Sequence, residues 1–109
     1  MFVRWIRRPL RRQRDTALDA LLVHSYWEAG RSRQRVHYLA SIREHYRDAP
    51  AYRQAFWQHV QRKLQQLTLS ETEQVRCIRK LAERVPLPTA AELHQLMVTQ
   101  ALFIPPPET

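Results

Sequence analysis

The chain has 109 residues, 44% of them apolar and 26% charged, with a formal net charge of +8 at pH 7. This length suits one domain, and the apolar content excludes a disordered polyelectrolyte. No apolar run approaches the roughly 18 residues that span a bilayer, and the N-terminus lacks the apolar stretch of a signal peptide, so no membrane partner is expected.

The positive charge is concentrated in the first half of the chain. Residues 1–47 hold eleven arginines against four acidic residues, a net charge of +7, whereas residues 48–109 have a net charge of only +1. Arginine suits bidentate contact with phosphate. Such a one-sided basic field predicts an anionic partner, above all nucleic acid; the alternative is a basic surface without a partner.

The first half also predicts the strands of a small sheet. Residues 2–7 alternate in the way of a strand, which Pro9 is expected to end, and a highly basic connection follows. Residues 18–28 and 31–39 predict two further strands, joined by Ala29 and Gly30. Gly30 is the only glycine in the chain, and a tight hairpin turn requires the positive φ that glycine adopts without steric cost.

A two-residue loop places Val23 opposite Val36, Leu21 opposite Tyr38, and Tyr26 opposite Arg33. One face of this hairpin is then the expected core face, carrying Leu21, Val23, Trp27, Val36 and Tyr38. The opposite face carries a row of three arginines, Arg31, Arg33 and Arg35. A three-residue loop with a bulge is the alternative, and it shifts the cross-strand pairs without separating the arginines.

The second half predicts helices. Asp48 is expected to cap the first helix and Pro50 to lie in its first turn, followed by an apolar stripe at helical spacing: Tyr52, Phe56, Val60, Leu64 and Leu67. Ser70 with Glu73, and Thr89 with Glu92, have the spacing of capping boxes. The two later stripes are Val75, Ile78, Leu81 and Val85, then Leu93, Leu96, Met97 and Ala101.

These elements predict an α+β fold, with an N-terminal antiparallel sheet of two or three strands packed against two or three C-terminal helices. A single domain is expected over residues 1–104, with a basic β part at 1–46 and a helical part at 48–104, followed by a flexible tail at 105–109. The single cysteine, Cys77, excludes an intrachain disulfide and fits a reducing environment, so a cytoplasmic location is expected.

Residues 21–46 resemble a segment near the N-terminus of bacterial DDE-type insertion-sequence transposases, and the chain is also similar to small stand-alone bacterial proteins. The matching residues are Val23, Ser25, Tyr26, Gly30, Arg33, Gln34, Arg35 and Leu39. Ala40 and Trp27 depart from the family pattern, and the family's acidic catalytic domain has no counterpart. The resemblance therefore implies a mobile-element-related role in DNA binding or assembly, without transposition chemistry.

The candidate nucleic-acid-binding residues are Arg31, Arg33, Arg35, Arg4, Arg7, Arg8, Arg11, Arg12, Arg14 and Tyr26. No zinc-type histidine spacing, phosphate-binding loop or acid–base pair appears, so no enzyme activity, catalytic residue, metal or cofactor is expected. We predict a small basic protein that binds DNA more than RNA. The alternative is a protein-interaction adaptor, an oligomerisation module or an inhibitor that docks on an acidic surface, with another protein or a second copy of the chain as partner.

Overall fold

A computed structural model describes the backbone of residues 1–103 and the side chains of residues 1–99. Three antiparallel strands form one sheet in the order β1 (Phe2–Leu10), β2 (Asp15–Glu28) and β3 (Arg31–Arg43). A short 3₁₀ turn leads to α1 (Pro50–Gln66), α2 (Glu71–Ala82) and α3 (Ala90–Phe103). The predicted α+β class is confirmed. The predicted domain end at residue 104 and the tail at 105–109 lie outside the described residues.

The hairpin between β2 and β3 has the predicted two-residue loop. Ala29 and Gly30 have φ values of 50° and 75°, as a type I′ turn requires. Val23 lies opposite Val36, and Tyr26 opposite Arg33, as predicted. A register shift between Ala20 and Leu21 leaves Leu39 as an extra residue in β3, far from the turn.

The strands are longer than the sequence predicts, and Pro9 does not end β1. Pro9 pairs with Thr16 and the strand continues to Leu10. A proline is tolerated here because β1 is an edge strand. The sheet extends because Asp19 and Ser41 pair across β2 and β3 and are joined by a side-chain hydrogen bond, so polar residues continue the ladder.

The prediction of the core face is wrong. The helices cover the opposite face of the sheet, where Leu18, Ala20 and Leu22 are at most 2% exposed. On the open face, Trp27 is 77% exposed and Val36 is 53% exposed. The helices follow the end of β3, so they pack on the sheet end that holds residues 17–22 and 39–43. The predicted core residues Trp27, Val36 and Tyr38 lie on the open face, and Trp27 and Val36 also lie nearer the hairpin tip than the residues that the helices cover.

Val23 is an exception on the open face, because it is fully buried. It lies on the central strand, and its cross-strand neighbours Phe2 and Val36 are both about half exposed. The flanking side chains therefore bury Val23 without help from a helix.

The core between sheet and helices is built mainly by α1. Phe56, Trp57, Val60 and Leu64 are buried in one cluster with the sheet residues, at the three- and four-residue spacing of one helix face. Trp57 donates a hydrogen bond from Nε1 to the carbonyl of Val85, at 3.1 Å. This bond fixes the segment that follows α2 against α1.

Two of the three predicted helix caps are confirmed. Ser70 Oγ accepts from the Glu73 amide and the Glu73 carboxylate accepts from the Ser70 amide, which confirms that capping box. Thr89 and Glu92 make the same reciprocal bonds. Asp48 does not cap α1, because the N-cap is Ala49 and no side chain bonds there.

The helical stripes are confirmed in part. Leu81 and Val85 are fully buried, but Val75 is 50% exposed and Cys77 takes a buried position in its place. Tyr52 is exposed and its ring stacks on Tyr46 at 4.2 Å between centroids.

A partly buried ion pair joins α1 to α3. Arg53 is 7% exposed, and its guanidinium binds the carboxylate of Glu92 and the carbonyl of Pro86. Among the described residues, no helix has the length and apolar character needed to cross a membrane.

Candidate nucleic-acid interface

The outer part of the β2–β3 hairpin projects beyond the rest of the sheet. The last pair between β1 and β2 is Phe2 with Val23, so residues 24–35 form a two-stranded ribbon, which we call the arm. Eleven of its twelve residues are exposed, and only Tyr26 is partly buried. The molecule is accordingly elongated, with extents of 64 × 35 × 27 Å. A ribbon of this width can lie in the major groove of B-DNA.

Three arginines line one face of the arm, as the two-residue period of a strand requires. Arg31, Arg33 and Arg35 lie opposite Glu28, Tyr26 and His24 respectively, on the side of the sheet that the helices cover further along. Arg33 approaches the Glu28 carboxylate at 3.6 Å, with both side chains more than half exposed. Such an exposed pair contributes at most about 1 kcal/mol, so it holds the guanidinium only weakly.

Tyr26 supports this row from the neighbouring strand. The guanidinium carbon of Arg35 lies 5.0 Å from the centre of the Tyr26 ring, within range of a cation–π contact. Trp27 and Gln34 lie on the other face of the arm, so they do not share a surface with the arginines.

The remaining predicted arginines do not join the arm. Arg4 lies on the open face of the sheet, opposite Leu21. Arg7 pairs with the carboxylate of Glu44 at 3.0 Å. Arg8 pairs with Asp19 at 3.1 Å, on the open face. Arg7 and Arg8 thus already have acidic partners within the fold.

The Arg8 contact is part of a small polar network. Burial tends to raise the pKa of Asp19, but hydrogen bonds from Arg8 and Ser41 outweigh it and hold the pKa below its ordinary value. The pKa of Arg8 is raised by its hydrogen bond with Asp19. The pair therefore stays ionised and serves the fold.

Arg11, Arg12 and Arg14 form a second exposed basic cluster in the turn between β1 and β2. This turn and the tip of the arm lie at opposite ends of β2, which has 14 residues. At about 3.3 Å per residue, the two clusters are roughly 40 Å apart. The ten predicted residues therefore do not form one surface. They lie in three places: on the arm, in the distant turn, and in a middle section of the sheet where most of the arginines are engaged in ion pairs.

Sequence reasoning missed a set of cations on α2. Arg76, Arg79 and Lys80 line a cavity of about 550 Å³ together with Val3, Leu22 and other residues of the sheet edge. A second cavity, of about 370 Å³, lies at the base of the arm and includes His24, Arg35 and His37. The spacing of the three α2 cations, at three and four residues, was the available sequence signal.

Two observations bear on other chemistry. Within residues 1–99, no three His, Cys, Asp or Glu side chains cluster as a metal site would require. Cys77 is buried, and burial raises the pKa of its thiol to about 11, which keeps the sulfur protonated and unreactive near neutral pH.

The sequence matches no protein-family model and no curated protein, and the fold matches no solved structure.

Proposed function

We propose that this protein binds nucleic acid without acting on it as an enzyme, DNA in preference to RNA, and that the arm is its principal contact. One observation carries the proposal: a two-stranded ribbon projects beyond the core with three exposed arginines in line and one acidic residue, Glu28. Adjacent side chains on one strand face lie about 6–7 Å apart, a spacing comparable to that of successive phosphates along a strand of nucleic acid.

Three further features support it. The basic charge of the chain is concentrated in residues 1–47. The Tyr26 ring beneath Arg35 offers an aromatic surface close to the cationic row. The resemblance of residues 21–46 to the hairpin of DDE-type transposases implies a role in DNA-end binding or assembly, and the first of these agrees with the proposal.

The test compares two variants that lose the same charge at opposite ends of the sheet. The arm variant carries Arg31→Ala, Arg33→Ala and Arg35→Ala; the turn variant carries Arg11→Ala, Arg12→Ala and Arg14→Ala. All six side chains are exposed, so both variants should fold, which circular dichroism and thermal melting verify. We expect the arm variant to lose about tenfold or more in affinity for duplex DNA, and the turn variant much less.

Equal losses in the two variants would mean that only net charge matters, and would contradict a role for the arm. Absence of binding by the unsubstituted protein at low salt would contradict the proposed function itself.

A second candidate function is protein association, favoured by the open face of the sheet. Phe2, Ile6, Val36 and Tyr38 are each between 40% and 53% exposed on this face. Exposed apolar residues grouped on one face of a sheet commonly mark protein contacts. Light scattering and a test for capture of acidic proteins distinguish this function. A monomer at high concentration that captures no acidic protein partner would leave nucleic-acid binding as the function. A dimer that Val36→Lys disrupts would support association.

A further inference from the structure

We propose that the groove between α2 and the sheet is a binding site for single-stranded nucleic acid, and that the strand enters it from the arm. This inference rests on the proposed function and extends it to a second surface. The groove consists of the two cavities described above, of about 370 and 550 Å³.

The two cavities are adjacent, because they share lining residues. Met1 and Leu22 line both of them. The smaller cavity begins at Arg35, the last arginine of the arm row, and at its cross-strand partner His24. The larger one continues along α2 past Arg76, Arg79 and Lys80. A strand that follows the arm arginines towards the core therefore arrives at the groove.

The charge of the groove suits a polyanion. Its permanent cations are Arg35, Arg76, Arg79 and Lys80, against one acidic residue in its lining, Glu73. Glu73 is engaged in the capping box at the start of α2, where its carboxylate accepts the Ser70 amide. Lys80 approaches Glu83 at 3.6 Å in a pair that is more than 60% exposed on both sides, so this contact restrains it little.

The walls explain why a single strand fits better than a duplex. Val3 is a partly exposed apolar residue of the larger cavity, and Leu67 and Leu69 are partly exposed apolar residues of the smaller one. Volumes of this size are those of ordinary ligand pockets, about 300–1,000 Å³, which admit a few unpaired nucleotides and exclude a duplex. Unpaired strands usually bind with their phosphates on cations and their bases stacked on aromatic side chains. In this groove Val3, Leu67 and Leu69 offer the bases aliphatic surfaces instead.

The experiment uses a groove variant with Arg76→Ala, Arg79→Ala and Lys80→Ala, and the turn variant as a charge-matched control. The three groove side chains are exposed on a helix, and alanine favours helices, so the fold should persist; melting curves verify it. Fluorescence anisotropy measures the affinity for a DNA single strand of about 20 nucleotides and for its duplex.

We expect the groove variant to bind the single strand about tenfold more weakly than the turn variant does, with less than about threefold difference for the duplex. Equal binding of the single strand by the two variants would overturn the groove site, as would equal losses for single strand and duplex. If the unsubstituted protein binds neither probe, the proposed function fails along with the groove. If the arm variant loses binding and the groove variant does not, only the groove proposal fails.

Discussion

Leu18→Ala and Val36→Ala should destabilise the fold to very different extents, because the two residues lie on opposite faces of the sheet. Leu18 and Val36 are branched aliphatic residues of the same sheet, but Leu18 is 2% exposed beneath the helices and Val36 is 53% exposed on the open face. Leu18→Ala removes buried carbon and leaves a cavity, which costs about 2–5 kcal/mol. Val36→Ala removes a side chain already half in water, so about 1 kcal/mol or less is expected.

These free energies translate into readily measured shifts. For a domain of this size, each kcal/mol lowers the melting temperature by about 4–8 °C. A mid-range loss of about 3 kcal/mol therefore lowers the melting temperature of Leu18→Ala by roughly 12–24 °C. Urea titration provides the free energy independently, provided that the slope of the transition is unchanged. A greater loss of stability for Val36→Ala than for Leu18→Ala would refute the face assignment.

Three further outcomes follow from local contacts. Ser70→Ala should destabilise the fold by about 0.5–2 kcal/mol in urea titration, because it removes half of the α2 capping box; the arm substitution Ser32→Ala is the matched control, and equal effects would contradict the role of the cap. Cys77 should react slowly with a disulfide reagent near neutral pH and rapidly only in denaturant, since its thiol is buried with a pKa of about 11; fast labelling of the folded protein would contradict its burial. Hydrogen bonds from the amides of Ser70 and Thr89, with Arg53 also acting on Glu92, lower the pKa values of Glu73 and Glu92 below their ordinary 4.5. The stability they contribute is complete above that value and is lost as the pH falls through the lowered values, so the melting temperature should drop in acid; a flat profile would show that these bonds are absent.

Local signals in the sequence sufficed for the parts of the fold that depend on near neighbours. The lone glycine identified the hairpin turn, because a type I′ turn requires positive φ at both central positions. The turn then determined the cross-strand register. The two-residue period of a strand placed Arg31, Arg33 and Arg35 on one face independently of that register. The capping boxes at Ser70 and Thr89 were equally local.

Features that depend on packing between distant segments could not be predicted from the same signals. β2 carries apolar residues on both faces over residues 17–23, so alternation alone did not identify the buried one. The choice depends on where α1 returns after β3, and this covers Leu18, Ala20 and Leu22 while leaving Val36 exposed. The engagement of Arg8 by Asp19, and the separation of the turn from the arm, likewise depend on the pairing of strands.

The candidate site shows the same division. The arm row could be predicted from spacing within one strand. The groove could not, because Arg76 and Arg79 approach the sheet only through the packing of α2 beside β1. The composition indicated a basic binding surface in the first half of the chain, and it gave no indication of one on α2.

The salt dependence of DNA binding tests the central claim most directly. The logarithm of the association constant is measured against the logarithm of salt concentration, between about 50 and 200 mM, for the unsubstituted protein and the arm variant. Each phosphate contact contributes a slope of about −0.9 on duplex DNA. If the three arm arginines contact phosphates, the arm variant should have a slope shallower by about 2–3. Parallel lines for the two proteins would contradict the account.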